Sequence, residues 1–173
     1  MVNINDTILY KMTRKKKYKI HCYMPRLGTK VYNKFEKSHY ITDKNKPFVL
    51  VGTQGEEWVV DLKKLCATYT YVSGTHITYA SLKNKLNADG TIDKFPIVAS
   101  GCNLNYALRV PVTQKVSITT AWGDVLQVNA PGVKHGKGDF IVCGVDNNGQ
   151  PMLNDRWVVN GLIFEDTYDM RPF

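Results

Sequence analysis

The 173-residue chain contains 23 Lys and Arg residues against 15 Asp and Glu residues, which gives a formal net charge of +8 at pH 7. Its 43% hydrophobic and 11% aromatic content is typical of a folded globular protein and excludes a disordered chain. No apolar run approaches the roughly 20 residues of a membrane-spanning helix, and no secretory leader pattern follows Met1, so we expect a cytoplasmic protein without a membrane partner.

The positive charge is concentrated in the first half of the sequence. The segment from Lys11 to Lys46 contains 12 basic residues against two acidic residues, a net charge of +10, whereas residues 96–173 contain six basic and seven acidic residues. A segment of this kind is typical either of a solvated surface or of a surface that binds nucleic acid or an acidic protein.

Short strand candidates follow one another through this basic segment. Residues 2–10 alternate only partly and predict a strand or an ordered arm, whereas Ile20–Met24, Val31–Phe35 and His39–Ile41 each read as a strand. Because successive side chains of a strand point to opposite faces, we expect the lysines on one face and the aromatic rings on the other.

The next segment predicts a hairpin followed by a capped helix. Phe48–Val51 and Trp58–Val60 are β-branched and aromatic runs separated by a Gly-containing turn, which is typical of two paired strands. Asp61 stands where a helix N-cap is expected, and Leu65 would place the helix against the hairpin. The segment ends at Tyr69, whose ring we expect to be buried.

The same phrase occurs a second time near the end of the chain. Phe140–Cys143, Trp157–Val159, Asn160, Phe164 and Thr167-Tyr168 follow one another in the order of the first copy. The repetition predicts two structural units built alike. The predicted structural anchors of the two copies are Trp58, Tyr69, Trp157 and Tyr168.

The remaining segments fix the expected domain organisation. Residues 74–95 read as a connector, and the second half continues with short strand candidates such as Val116–Thr120. We predict an α+β, β-rich fold with two internally repeated units of short antiparallel strands, small barrel- or roll-like and each closed by a short helix. The expected domains are a basic N-terminal repeat unit at 1–73, a connector at 74–95 and a C-terminal repeat unit at 96–173.

One part of the chain resembles a known family. Gly138–Gly144, Trp157–Val159, Phe164 and Thr167-Tyr168 are similar to the small bacterial and phage family called PGDYG, in which a Gly-Asp-aromatic strand leads to a Gly turn, an apolar strand and a terminal Phe-x-x-Thr-Tyr. The similarity covers residues 115–170 and is weaker over 44–71. It implies a β-rich unit in a bacterial or phage protein and no settled activity.

No combination of residues predicts catalysis. His21 and Cys22 are neighbours on a candidate strand, so their side chains would point to opposite faces, and His135, near Asp139 in a Gly-rich segment, reads as a solvated loop residue. No two of the four cysteines form a C-x-x-C pair. We expect a non-enzymatic protein with no metal site and no cofactor.

The basic segment is the strongest functional signal. Lysine and arginine side chains can neutralise phosphates and the tyrosines among them can stack on bases, a combination typical of single-strand or RNA-binding surfaces. The sequence therefore predicts contact with nucleic acid or with a nucleic-acid-processing complex. The predicted binding residues are Arg14, Lys15, Lys16, Lys17, Tyr18, Lys19, Arg26, Lys30, Tyr32, Lys34 and Lys37.

Other partners fit the same features. A small basic β protein that resembles a phage family could act as an inhibitor of a bacterial defence protein, as anti-CRISPR proteins do, with its lysines facing an acidic surface. A small phosphorylated ligand is a third possibility. In each case we expect a monomer or weak dimer in the cytoplasm of a bacterial host cell.

Overall fold

The computed structural model describes residues 3–100 and 104–170. In these residues the chain forms 14 strands, paired antiparallel, and three short α-helices, which confirms the β-rich α+β class. The chain divides into two compact units. Unit 1 comprises Met1–Lys16 and Gly101–Phe173, and unit 2 comprises Lys17–Ser100.

The elements follow one another in this order: β1 (Lys11–Lys15), β2 (Lys19–Met24), β3 (Lys30–Asn33), β4 (Ser38–Ile41), β5 (Phe48–Val51), β6 (Glu57–Val60), α1 (Leu62–Thr68), β7 (Tyr69–Tyr71), α2 (Tyr79–Lys83), β8 (Ile92–Ala99), β9 (Leu104–Arg109), β10 (Val116–Thr119), β11 (Val125–Val128), β12 (Phe140–Val145), β13 (Pro151–Val159), α3 (Gly161–Thr167) and β14 (Tyr168–Met170). A single 3-10 turn, Thr7–Leu9, lies ahead of β1 where a strand or arm was expected.

Unit 2 is built on a five-stranded sheet with the order β6-β5-β2-β8-β7. Cys22, Leu50 and Ile97 are fully buried on its central strands, and Leu65 of α1 joins the same core. The strands β3 and β4 pair only with each other among the described residues and pack against β6. The sheet therefore carries a separate two-stranded hairpin, whose inner face rests on the sheet edge.

Unit 1 is built on a five-stranded sheet with the order β13-β12-β9-β1-β14, and β10 and β11 form its separate hairpin. Strand β12 is buried on both faces, because Ile141 and Cys143 join one core cluster while Phe140 and Val142 join another. This double burial explains why β12 reads as a continuous apolar run instead of an alternating one.

The strands of the two sheets pair in the same spatial pattern, although the fourth strand comes first along the chain in unit 1, as β1, and last in unit 2, as β8. The hairpin β5–β6, helix α1 and strand β7 of unit 2 stand where β12–β13, α3 and β14 stand in unit 1. Even the register agrees, since Phe48 lies opposite Val60 and Phe140 lies opposite Val159. Each copy of the phrase in the sequence thus forms a hairpin, a capped helix and a short edge strand.

The helices of this geometry begin and end alike. Asp61 caps α1 by accepting a hydrogen bond from the amide of Lys64 at 2.7 Å, and Asn160 caps α3 by accepting from two amides of its first turn. Each helix has seven residues and is followed by a tyrosine as its C-cap, Tyr69 or Tyr168. The N-caps satisfy amides that a helix start otherwise leaves unpaired.

The units differ in their boundaries from the expected domains 1–73, 74–95 and 96–173. Strand β1 pairs with β9 and β14 and so lies in unit 1, where the Thr13 hydroxyl donates to the carbonyl of Asp169, 156 residues away. Strand β8 begins inside the expected connector and pairs with β2 and β7. Pairing between distant strands fixes these boundaries, and composition along the chain does not reveal it.

The sheets are also open and not closed barrels. Each has two edge strands, β6 and β7 in unit 2 and β13 and β14 in unit 1, and these edges do not pair with each other within residues 3–100 and 104–170. Closure into a barrel would require such pairing.

Candidate functional site

The β3–β4 hairpin of unit 2 carries the most ordered part of the basic segment. Val31 is 3% exposed and faces the interior of the unit. Residues directly opposite each other in an antiparallel pair share a face, and the register places Lys30 opposite Ile41 and Tyr32 opposite His39. These four exposed side chains form what we call the outer face of the hairpin.

The outer face mixes charge with rings. The expectation that alternation would separate lysines from rings was wrong for this hairpin, because Lys30 and Tyr32 are two residues apart and so lie on the same side of β3. His39 and Ile41, which were absent from the predicted binding residues, join them from β4. If the alternation of β3 is continued through the turn into β4, it indicates His39 and Ile41 as well.

The Tyr32 and His39 rings form a pair at the centre of the outer face. Their centroids are 4.9 Å apart and their planes are inclined by 44°. Tyr32 is 50% exposed and Ile41 beside the pair is 60% exposed. A half-exposed ring pair next to an aliphatic side chain is a surface on which a flat group of a ligand can stack.

The tip of the hairpin is held by its own side chains. Asn33 is buried, and its Oδ1 accepts hydrogen bonds from the amides of Phe35 and Glu36 at 3.0 and 3.1 Å. The Tyr40 hydroxyl donates to the Glu36 carboxylate, and Lys37 adopts a left-handed backbone conformation with φ of 53°. Such an Asx turn fixes the tip and the lysines on it.

The base of the hairpin is held by two threonines. The amide of Thr42 donates to the carbonyl of Thr29 at 3.0 Å, and the hydroxyl of Thr42 accepts from the amide of Thr29 and donates to the carbonyl of Arg26. Thr42 is 1% exposed. With tip and base both fixed, the outer face is ordered before any ligand arrives, which lowers the entropy cost of binding.

Three of the predicted lysines lie on β3 or at the tip of the hairpin. Lys30, Lys34 and Lys37 are all exposed, and the Nζ atom of Lys34 lies 5.4 Å from the centroid of the Phe35 ring. Neither Lys30 nor Lys34 takes part in an ion pair with another described residue. Their charge is therefore not neutralised by a carboxylate within the described part of the chain.

The predicted residues Arg14, Lys15 and Lys16 lie in unit 1 instead. Lys15 sits 6.0 Å from the ring centroid of Tyr168, and the Nζ atom of Lys16 donates to the carbonyl of Glu165 at 2.9 Å and forms an ion pair with Asp169 at 3.7 Å. Arg14 is exposed. The basic segment is thus divided between two units, and two of these three residues are used in holding β1 to the end of the chain.

The other predicted residues of unit 2 differ in their surroundings. Lys17 and Lys19 are exposed, whereas Tyr18 packs against the core and its hydroxyl lies 3.3 Å from that of Tyr69. Burial raises the pKa of Tyr18. Arg26 forms an exposed ion pair with Asp89 at 3.7 Å. Tyr18 is therefore a structural ring, while Arg26 stands at the hairpin base.

The predicted anchors lie against the cores of their units. Tyr69 and Tyr168 are buried, and Trp58 and Trp157 are half-buried with Leu50 and Val142 opposite them in their hairpins. Tyr168 stacks on Phe164 at 4.7 Å between centroids, and Phe164 stacks on Phe140 at 3.6 Å. Such contacts contribute about 0.5–1.5 kcal/mol per ring pair beyond the area they bury.

A buried polar network in unit 1 was not predicted. His135, interpreted as a solvated loop residue, is 8% exposed, and its Nδ1 lies 2.6 Å from Oδ1 of Asp139. The same oxygen accepts from the amide of Gly161 at 3.0 Å, and Oδ2 accepts from the amide of Asn129 at 2.9 Å. Composition indicated a loop because glycines surround His135, and only the position of Asp139 at the start of a buried strand hinted otherwise.

The network fastens a loop to helix α3. The Nε2 of His135 lies 2.6 Å from the carbonyl of Ala130, so both ring nitrogens face acceptors and both can donate only when the ring carries two protons. The side-chain amide of Asn160 donates to the carbonyl of Lys134 at 2.8 Å. A Cβ atom on Gly161 would lie 2.1 Å from the carbonyl oxygen of His135, so this close approach requires glycine.

These contacts support a structural role for the network. The carboxylate of Asp139 contacts two backbone amides and His135, its own amide donates to Oδ1 of Asn129 at 2.7 Å, and no nucleophilic side chain is hydrogen-bonded to the imidazole among the described residues. Burial raises the pKa of the Cys22 and Cys143 thiols to about 12 and about 11, which disfavours the reactive thiolate.

The described residues show neither a metal-binding cluster nor a membrane-spanning helix. Residues 3–100 and 104–170 contain no group of three or more His, Cys, Asp and Glu side chains placed to hold a metal ion. Of the helices in this part of the chain, none has the length and apolar character needed to cross a membrane.

Comparison with known proteins gives no relative: the chain matches no family model, no curated protein and no solved structure. The resemblance of residues 115–170 to the PGDYG family therefore stays a prediction.

Proposed function

We propose that unit 2 binds nucleic acid through the outer face of the β3–β4 hairpin. The observation that carries the proposal is the half-exposed Tyr32–His39 ring pair with Lys30 beside it on a hairpin fixed at both ends. Rings can stack on bases and ammonium groups can contact phosphates, so this one face offers both kinds of contact.

The charge of the unit supports the proposal. Unit 2 contains 13 basic and seven acidic residues, a net charge of +6, whereas unit 1 contains ten basic and eight acidic residues, a net charge of +2. Three of the basic residues of unit 2 lie on β3 or at the tip of its hairpin. A polyanion would be attracted to unit 2, and the hairpin would hold it.

Binding of a fluorescent oligonucleotide, followed by anisotropy between about 50 and 200 mM salt, tests the proposal. We expect affinity to fall steeply as salt rises. The double variant Lys30→Ala/Lys34→Ala should reduce the slope of log affinity against log salt by about 1.4, because each phosphate of a single strand that a lysine no longer neutralises lowers the slope by about 0.7.

The matched control is Lys63→Ala/Lys64→Ala, which removes the same charge from exposed positions on α1 of the same unit. This control should leave the slope nearly unchanged. An equal effect of both double variants would contradict a site on the hairpin, and affinity independent of salt would contradict nucleic-acid binding altogether.

An acidic protein is the second candidate partner, in keeping with an inhibitor of a bacterial defence protein. The 60% exposed Ile41 favours it, because exposed aliphatic side chains are common at the centre of protein interfaces. Nuclease treatment distinguishes the two: a protein partner would stay bound to the wild type after digestion and would not bind Ile41→Lys.

We further infer that the two units arose from one duplicated unit. The proposal is supported by the common pattern of strand pairing, by the matching register at Phe48 and Phe140, and by the seven-residue helices whose C-caps are Tyr69 and Tyr168. Structures of related chains in which the strands of the two units pair in different patterns would contradict it.

A further inference from the structure

We propose that the ligand of the outer face is a single strand of nucleic acid, which stacks on the Tyr32–His39 pair and continues past the base of the hairpin into a cavity between Arg26 and Lys44. The inference rests on the proposed function and narrows its ligand. It follows from three features of unit 2: the rings, the cavity and the distance between them.

The rings favour a single strand over a duplex. A two-stranded ribbon that enters the major groove reads base edges through Arg, Lys, Asn or Gln side chains, and of these the outer face offers only Lys30. In an intact duplex the faces of the bases are covered by their neighbours, so the Tyr32–His39 pair would find no partner. In a single strand the base faces are accessible to stacking on aromatic side chains.

The cavity lies at the end of the hairpin opposite its tip. It has a volume of about 430 Å³, and its lining includes Arg26, Leu27, Lys44 and Pro47 beside the hairpin and Asp89 with Gly90 from the turn before β8. Leu27 is 53% exposed and Lys44 is exposed. Because Arg26 forms an ion pair with Asp89, Lys44 is the lining cation that has no ion pair among the described residues and suits a phosphate. Leu27 and Pro47 offer the apolar surroundings that a base needs.

The rings and the cavity lie within reach of one strand. Lys30 and Ile41 stand between the ring pair and the hairpin base, and the nearest lining residues, Leu27 and Lys44, are five residues from Tyr32 and His39, at most about 16 Å at 3.3 Å per residue. A site of this length accommodates a few nucleotides, at the lower end of the roughly 4–16 covered by small single-strand-binding domains. Lys30 would then meet a phosphate midway.

The test uses the full chain and four probes of one sequence: a DNA strand of about 12 nucleotides, the same strand in RNA, and each annealed to its complement. We expect at least one single strand to bind about tenfold more tightly than its duplex, and the sugar of the tighter strand identifies the natural ligand class. Duplexes that bind as tightly as the strands would overturn the inference and leave the proposed function standing. No binding of any probe at low salt would overturn both.

Two variants of Tyr32 isolate the stacking. Tyr32→Leu removes the ring from an exposed position and should weaken single-strand binding about tenfold, whereas Tyr32→Phe keeps the ring and should bind like the wild type. Thermal unfolding of each variant checks that the fold is kept. If Tyr32→Leu binds a single strand as the wild type does while Lys30→Ala still weakens binding, the stacking is refuted and the phosphate contact remains.

Two neighbouring lysines test the path into the cavity. Lys44 lines the cavity and Lys46 does not, although both are exposed and lie in the same turn. Lys44→Ala should lower single-strand affinity several-fold more than Lys46→Ala. Equal losses would show that only the overall charge matters and would overturn the path.

Discussion

The hairpins β3–β4 and β10–β11 occupy the same place in their units and present different surfaces. Each follows the central strand of its sheet, β2 or β9, and precedes the hairpin that leads into a capped helix. In β10–β11 the side chains opposite one another on the exposed face are Ser117 with Gln127 and Thr119 with Val125. This face has neither a cation nor a ring.

The difference shows what the fold itself requires. Both hairpins bury apolar side chains inward, Val31 in one and Ile118 with Val128 in the other. Because β10–β11 keeps its place with an uncharged exposed face, the lysine and rings of β3–β4 are not needed for packing. Their presence therefore supports binding, whereas the inward residues report only on stability.

The largest expected effect tests whether the units are independent. Asp139→Asn removes the buried charge that faces His135 and should lower the free energy of unfolding of unit 1 by about 3–5 kcal/mol. Unit 2 has Pro47 at the matching position ahead of Phe48 and lacks this network. Hydrogen exchange should become faster in β12 and stay unchanged in β5.

Asp124→Asn, at an exposed acid of the same unit, serves as the control and should change exchange little. Equal acceleration in β5 and β12 after Asp139→Asn would show that the two units unfold as one.

The two helix caps should differ in strength. Asn160→Ala removes acceptors for two amides and leaves the carbonyl of Lys134 without its donor, so we expect a loss of about 2–3 kcal/mol in the free energy of unfolding. Asp61→Ala removes one exposed cap and should cost about 1 kcal/mol. Urea unfolding measures both, and equal costs would mean that the buried amide of Asn160 contributes nothing.

Transfer of the outer face would sharpen the comparison of the hairpins. In a chain that carries Tyr32→Leu and Lys30→Ala, the changes Ser117→Tyr and Gln127→His place a ring pair on β10–β11, and Thr119→Lys adds a cation. We expect single-strand affinity to recover about tenfold, or about 1.4 kcal/mol. Ser117→Ala with Gln127→Ala is the matched control. Failure to recover would show that the cavity beside β3–β4 is indispensable.

The smallest expected effect is a pH dependence that the units share. Burial raises the pKa of Cys22 in unit 2 and of Cys143 in unit 1, so both thiols stay neutral when folded and ionise first in the unfolded chain. Stability is therefore full below the ordinary thiol pKa and falls as pH rises through it, by about 1 kcal/mol per thiol at about pH 9.5. Urea unfolding at pH 7 and pH 9.5 measures the loss, and Cys22→Ala or Cys143→Ala should each remove its share. A loss unchanged by either variant would assign it to other groups.

The sequence predicted local structure well and distant pairing poorly. The Trp-Val-Val phrases, the caps at Asp61 and Asn160 and the closing tyrosines all involve residues near one another, where periodicity and capping rules apply. Strand β1 lies between β9 and β14, and the whole of unit 2 separates it from both in the sequence. No local pattern indicates a pairing over such a distance.

The candidate site was predicted in part for the same reason. Composition indicates Lys30, Tyr32, Lys34 and Lys37, which lie on or beside β3, but it groups Lys15 and Lys16 of unit 1 with them, and also Tyr18, whose ring packs against the core of unit 2. His39 was missed because it meets Tyr32 only through the register of the hairpin. The buried His135 is held by hydrogen bonds with Asp139 and with the carbonyl of Ala130. The composition of a Gly-rich segment does not indicate such contacts.

The path of the chain through the two units has a consequence for synthesis on the ribosome. Unit 2 is one continuous segment, Lys17–Ser100, whereas the sheet of unit 1 needs β1 from before that segment and β9, β12 and β14 from after it. Unit 2 can fold as soon as it has emerged, while β1 must wait for partners that are translated after the whole of unit 2. A nascent chain would thus present the folded β3–β4 hairpin before unit 1 is complete. Until then both edges of β1 stay unpaired, and β1 is the segment that a chaperone would protect.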